Sequence, residues 1–213
     1  MNVVIKMKFY RILRNISIIG IIVLSLITGY VVYKEFFYEE SSSTTEVKIN
    51  DNISKYGYTL SNDQTDAYKT YFYELKEILN QESVDYIKYA EAISKLFVTD
   101  VFTLDNKISS GDIGGTDFIY SSFKSDFISI AKSSLYNGVK SNVYGNRNQK
   151  LPIVDSVTIV SSEKKAFTYN KTSLEDSYKV TLTITYKEDL GYQTDCTLYL
   201  TLVDDKLEVC YFK

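Results

Sequence analysis

The chain has no histidine, and its only cysteines are Cys196 and Cys210. Without histidine, Ser-His-Asp and Cys-His nucleophilic sites, H-E-x-x-H metalloproteases and the usual neutral-pH general base are all excluded. Two cysteines without histidine cannot complete a four-ligand zinc site. Carboxylates remain for acid/base work, yet no pair stands out at a spacing that would divide acid from base. The residues therefore point to no catalytic group, no metal and no cofactor.

Several local patterns carry weaker chemistry. Ser121-Ser122-Phe123-Lys124 has the S-x-x-K spacing of penicillin-interacting serine enzymes, but the S-D-N and K-T-G partners are missing, so the match reads as chance. Gly111-Asp112-Ile113-Gly114-Gly115 lacks the following Lys-Ser/Thr and the preceding strand of a phosphate cradle. It reads either as a loop needing positive φ or as a recognition loop. On the second reading Gly111, Asp112, Gly114, Gly115 and Asp117 form the candidate binding site, with Asp112 and Asp117 as its polar contacts. Asp155 lies in phase with Val157 and Ile159, as a strand-entry residue near Pro152 or as an acid pointing inward. The chain's twenty tyrosines could build a sugar- or partner-binding surface, but Tyr68, Tyr71 and Tyr186 fall on apolar faces and are assigned to the core.

The elements that must position these residues follow from periodicity. Ser61-Asn62-Asp63-Gln64 has the form of a capping box, and Tyr68, Tyr71, Phe72, Leu75, Ile78 and Leu79 follow at helical spacing. A second helix is predicted from near Ser83, carrying Ile87, Ala90, Ile93, Leu96 and Phe97 and running toward Leu104. A third is predicted from Ser122 to Lys140, presenting Phe123, Phe127, Ile130 and Ala131. Beyond Asn148 the period falls to two. Strands are predicted at Ile153 to Val160, Ala166 to Tyr169, through Val180 to Tyr186, Tyr192 to Val203 and Lys206 to Phe212. The fold class is α+β, with about three helices packed on a curved antiparallel sheet of four to five strands.

That sheet bears on the cysteines. If Asp204-Asp205 is a two-residue turn, Cys210 lies opposite Tyr199 and on the other face from Cys196. A three-residue loop leaves the two about 13 Å apart at 3.3 Å per residue, beyond the roughly 7 Å that a disulfide spans. Two free thiols are predicted.

The first sixty residues have a different character. Asn15 to Tyr33 is uncharged and rich in Ile, Val and Leu, and a helix of that length spans about 28 Å, the thickness of a bilayer core. Lys6, Lys8, Arg11 and Arg14 precede it, whereas Glu35, Glu39 and Glu40 follow, which places the N-terminus in the cytoplasm. Tyr30, Tyr33, Phe36, Phe37 and Tyr38 sit where an interfacial aromatic belt belongs. A cleaved signal peptide fits less well, since no alanine precedes Ala67. The organisation expected is a basic cytoplasmic tail over 1–14, a transmembrane signal anchor over 15–33, a juxtamembrane segment and Ser/Thr spacer over 34–60, and an extracytoplasmic domain over 61–213. A net charge of −3, with no basic block beyond the tail, removes the footprint of a nucleic-acid binder.

Three helices followed by a meander of long strands, from Ser61 to Phe212, resembles the cone-shaped α+β fold of the nuclear-transport-factor-like and SnoaL-like superfamily; a cystatin-like arrangement is the other topology of this kind. On a single N-terminal membrane helix, the cone-shaped fold occurs in bacterial assembly components of conjugation and type IV secretion machines. The resemblance implies a membrane-anchored binding domain of a cell-envelope assembly, with a protein partner or a second copy. A small-ligand sensor and a carboxylate-dependent enzyme are the other classes left open.

Overall fold

A computed structural model describes residues 48–169 and 171–213, together with Ser25 and Thr28. The expected anchor and spacer lie outside the described residues, apart from Ser25 and Thr28, which are helical. Among the described residues no helix is long and apolar enough to cross a membrane.

The chain enters the domain through an antiparallel hairpin, β1 (Ile49–Ile53) and β2 (Tyr58–Ser61). Ile53, Tyr58 and Leu60 are buried in the core, and the compact unit runs from Thr45 to Lys213. The domain thus begins before residue 61: part of the expected spacer is a strand pair whose apolar side chains need the core. The expected capping box belongs to this hairpin too. Asn62 closes it, donating its N–H to the Lys48 carbonyl at 3.0 Å and accepting the Lys48 N–H on Oδ1 at 3.1 Å.

Helix α1 (Asp66–Leu79) starts instead at Thr65, whose hydroxyl accepts the Tyr68 N–H at 3.3 Å. It buries Tyr68, Phe72, Leu75, Ile78 and Leu79. Helix α2 (Tyr86–Phe102) is capped by Asp85, which accepts the Ile87 and Lys88 amides, two residues beyond the expected start near Ser83. From Tyr89 onward α2 is buried on most sides, as a helix at the centre of a domain must be. Helix α3 (Ser121–Ser133) turns Phe123, Phe127 and Ala131 inward. It stops short of Lys140 because Ser133 and Ser134 bond back to the Ile130 carbonyl and the Tyr136 N–H takes the Ala131 carbonyl. Ile130, expected on the buried face, is 59% exposed.

The strands that follow are β3 (Val154–Lys164), β4 (Phe167–Tyr169), β5 (Thr172–Leu174), β6 (Ser177–Tyr186), β7 (Asp195–Val203) and β8 (Lys206–Phe212). Four of them form an antiparallel sheet in the order β3-β6-β7-β8, and β4 and β5 form a separate hairpin. The helices pack on one face of the sheet, so the fold is α+β. Val180, Leu182, Ile184, Leu198 and Leu200 are buried in the shared core, while their neighbours Thr181, Thr183 and Thr197 are only half-buried. That alternation is the period-two pattern of a sheet with one covered face.

Both outer strands have something laid along them. On the β8 side Ile119 forms a parallel bridge to Val209, and the Tyr120 N–H donates to the Val209 carbonyl at 2.9 Å. On the β3 side the Tyr71 hydroxyl of α1 accepts the Val157 N–H at 2.8 Å.

Candidate functional site

Two tight turns place charged residues around one cleft. The first joins β1 to β2 through Ser54–Gly57, where the Tyr56 and Gly57 amides both donate to the Ile53 carbonyl at 3.0 Å. Gly57 takes a φ of 71°, a conformation that glycine adopts without strain. The second is the two-residue turn Asp204-Asp205, flanked by the Val203–Lys206 pair. Its residues have φ of 46° and 68°. A turn of this type prefers Asn-Gly or Asp-Gly, and a side chain in the left-handed region costs about 1 kcal/mol or more per residue. The sequence thus holds two adjacent carboxylates at a position where glycine would fold more easily.

Between the turns lies an open cleft of about 260 Å³, lined by Lys55, Tyr56, Val203, Asp204, Asp205, Lys206 and Glu208. Its supporting layer is aromatic. Tyr56 stacks on Tyr58 at 6.3 Å between ring centres and meets Tyr89 edge-on at 5.9 Å. The buried hydroxyls of Tyr58 and Tyr89 lie 2.7 Å apart, and the Leu207 N–H donates to the Tyr89 oxygen at 3.3 Å. The β1–β2 hairpin, α2 and β8 are joined by these contacts, so the walls of the cleft are held from beneath. Burial pushes the Tyr58 hydroxyl far above its ordinary range and that of Tyr89 to about 12; both stay protonated.

The charges above this layer are not neutralised within the cleft. Lys206 Nζ sits 4.8 Å from the centre of the Tyr58 ring and donates to the Asp117 carbonyl at 3.3 Å. Lys55 Nζ sits 5.0 Å from the Tyr56 ring centre. Among the described residues, no ion pair joins these lysines to Asp204, Asp205 or Glu208. Partial burial raises the Glu208 carboxyl above its usual range, against the pull of Lys206 and Lys124. Charges of both signs, held on a fixed aromatic base, suit the capture of a partner that carries both signs. The lining contains no serine, threonine or cysteine.

The residues singled out in the loop over 111–117 divide between two jobs. The Gly114 N–H donates to the Tyr136 hydroxyl at 3.0 Å, and that hydroxyl donates to the Val101 carbonyl at 2.7 Å. The Gly115 N–H donates to Asp100 Oδ2 at 2.6 Å, while Asp100 Oδ1 pairs with buried Lys107 Nζ at 2.6 Å. A Cβ on Gly115 would lie 2.6 Å from Val101 and 2.8 Å from Phe97, and one on Gly114 would lie 2.2 Å from the Asp100 carbonyl. These two glycines let the loop touch α2. Asp112 takes the Ile108 N–H on its Oδ2 at 2.9 Å, and Gly111 is exposed beside it. Asp117 alone reaches the cleft, through its carbonyl on Lys206.

Asp155 is exposed, in a β-bulge between Val154 and Ser156. The bulge breaks the expected phase: Val154 and Val157 are both buried, and Asp155 points away from the core. Cys196 and Cys210 are free and buried, and burial pushes both thiols up to about 12. A bulge after Tyr199 puts Tyr211 opposite it instead of Cys210, whose thiol donates to the Tyr199 carbonyl at 3.3 Å. Ser122, from the S-x-x-K match, lines a second shallow cleft of about 230 Å³ with Tyr120, Tyr169, Thr172 and Leu174. Among the described residues no group of three or more His, Cys, Asp or Glu side chains is placed to hold a metal ion.

Lys55, Tyr56, Lys206 and Glu208 were not among the residues the sequence singled out. Asp204-Asp205 was legible as a turn, but its partner hairpin lay in the stretch assigned to the spacer. The alternation of Tyr58 and Leu60 after Tyr56-Gly57 was the available signal. Compared with known protein families, with curated proteins and with solved structures, the chain matches none.

Proposed function

We propose that the chain is a non-catalytic binding domain, held outside a cell membrane by an anchor over residues 15–33, which takes a protein partner in a cell-envelope assembly at the cleft between its two turns. The observation that carries this reading is the set of five charged side chains around the cleft, unpaired with one another above a hydrogen-bonded tyrosine layer. A free surface gains little by holding Asp204 and Asp205 in a strained turn beside charges they do not pair with; a partner of complementary charge gives them something to do. The anchor supports the reading by confining the domain to the membrane plane, which raises the effective concentration of any membrane partner. Three helices followed by an antiparallel meander is also the element order that the cone-shaped superfamily implies.

A small zwitterionic ligand is the second reading, favoured by a cleft of about 260 Å³ that offers both signs of charge, although ligand sites usually run from roughly 300 Å³ upward. Crosslinking in intact membranes tests the first. Lys206→Glu and Glu208→Lys should each remove the adduct, while Thr185→Glu on the opposite part of the sheet should retain it. Adducts unchanged by both charge reversals would overturn the reading, and free amino acids that protect the domain from heat would turn it toward the second.

A further inference from the structure

Residues 127–154 contain no acidic side chain and four basic ones, Lys132, Lys140, Arg147 and Lys150, in a chain whose net charge is −3. Within that stretch the chain makes a tight turn, closed by the Gly145 N–H on the Asn142 carbonyl at 3.0 Å. At its tip Val143 and Tyr144 are 49% and 73% exposed. Ile108, 50% exposed, stands beside them, since the Asn142 N–H donates to the Ile108 carbonyl at 2.7 Å.

The tip has no strand or helix behind it, yet its base is pinned. Arg147 donates from Nη1 to the carbonyls of Lys107 and Lys140, at 2.8 and 3.2 Å, and from Nη2 to that of Asp105 at 2.6 Å. The Arg147 N–H adds a bond to Asn142 Oδ1 at 3.0 Å. Gln149 accepts the Lys140 N–H at 2.9 Å and donates to the Gly138 carbonyl at 2.8 Å. Three exposed apolar side chains are therefore presented at a fixed place, with a guanidinium just behind them. The nearby acids are few. Asp112 is engaged by the Ile108 N–H, Glu188 by Lys150 at 2.8 Å, and Asp105 is exposed.

We propose that this tip inserts into the headgroup layer of a bilayer containing anionic lipid, with Val143, Tyr144 and Ile108 at the acyl boundary, exposed Lys140 among the phosphates and the charge of Arg147 behind it at the pinned base. A tip of two aliphatic side chains and one tyrosine is far smaller than the roughly 800 Å² per partner of a standard protein interface. Its tyrosine is a residue type that settles at the membrane interface, and cations beside it gain from a negative surface. The inference does not depend on the cleft having a partner. It concerns a different surface and a lipid.

The test uses the full chain with Tyr144→Cys carrying an environment-sensitive dye, reconstituted in phosphatidylglycerol vesicles that contain spin-labelled lipid. Cys196 and Cys210 are buried and leave the introduced thiol as the accessible one. Quenching of about twofold or more is expected at position 144, weaker in phosphatidylcholine and abolished by Val143→Asp. A dye at exposed Thr185 should not be quenched. No quenching at position 144 in phosphatidylglycerol, equal quenching at 185, or a response that requires a second protein would each overturn the proposal.

Discussion

Gly115 and Asp112 stand three residues apart in one loop, and only the first is held tightly by the rest of the domain. Gly115 has a φ of 75° and faces Phe97 and Val101 at distances no Cβ tolerates. Gly115→Ala should therefore destabilise by about 2–4 kcal/mol, combining left-handed strain with overpacking, whereas Asp112→Ala should lose about 1 kcal/mol or less; urea unfolding of both variants measures the difference. Glu208 behaves in the opposite sense. Its carboxyl titrates above the usual range because of burial, so the folded state binds its proton more readily than the unfolded state does. Stability from this group is present at low pH and falls as pH rises from the unfolded value through the folded one. Glu208→Gln should raise the melting temperature at neutral pH, by an amount worth about 1 kcal/mol or less because the group is partly solvated, and should remove the fall in stability that this group contributes as pH rises. Lower stability in Glu208→Gln at neutral pH would show that the carboxylate has a stabilising partner.

At the scale of elements, Tyr71 is the contact to break. Its hydroxyl accepts the Val157 N–H at 2.8 Å on the outer strand β3, where an unpaired amide would invite another chain. Tyr71→Phe should cost about 1 kcal/mol and speed amide exchange at Val157 above that at Leu182 in the sheet interior; unchanged exchange at Val157 would deny the cap. Why α1 was legible and its start was not has a physical answer. The spacing of Phe72, Leu75 and Leu79 survives in one dimension, but Ser61–Gln64 and Thr65 both offer capping side chains, and the hairpin claimed the former through Asn62. β8 was legible to the residue because Asp204-Asp205 marks its start and alternation carries it. The bulges at Asp155 and Cys210 were hidden, since an inserted residue leaves no trace until two strands are paired. The same limit hid the cleft: its residues come from turns 149 positions apart in sequence, as the Tyr58 to Leu207 contact counts them, and only the packing of β2, α2 and β8 brings them together.

Across the whole molecule two surfaces compete for a partner, the cleft at Tyr56 and the loop around Asp112, and they differ in what holds them. The cleft rests on a network of tyrosines that joins the entry hairpin, the central helix and the last strand, with charges left unpaired above it. Gly114 and Gly115 are spent on contact with α2, which leaves Gly111, Asp112 and Asp117 as the exposed residues of the loop. Photo-crosslinking from a p-benzoylphenylalanine placed at Tyr56 or at Asp112, in the full chain in its native membrane, distinguishes the surfaces most directly. A protein adduct from position 56 that disappears with Lys206→Glu, and none from position 112, is expected; an adduct from position 112 alone, or from neither, would show that the cleft does not dock the partner.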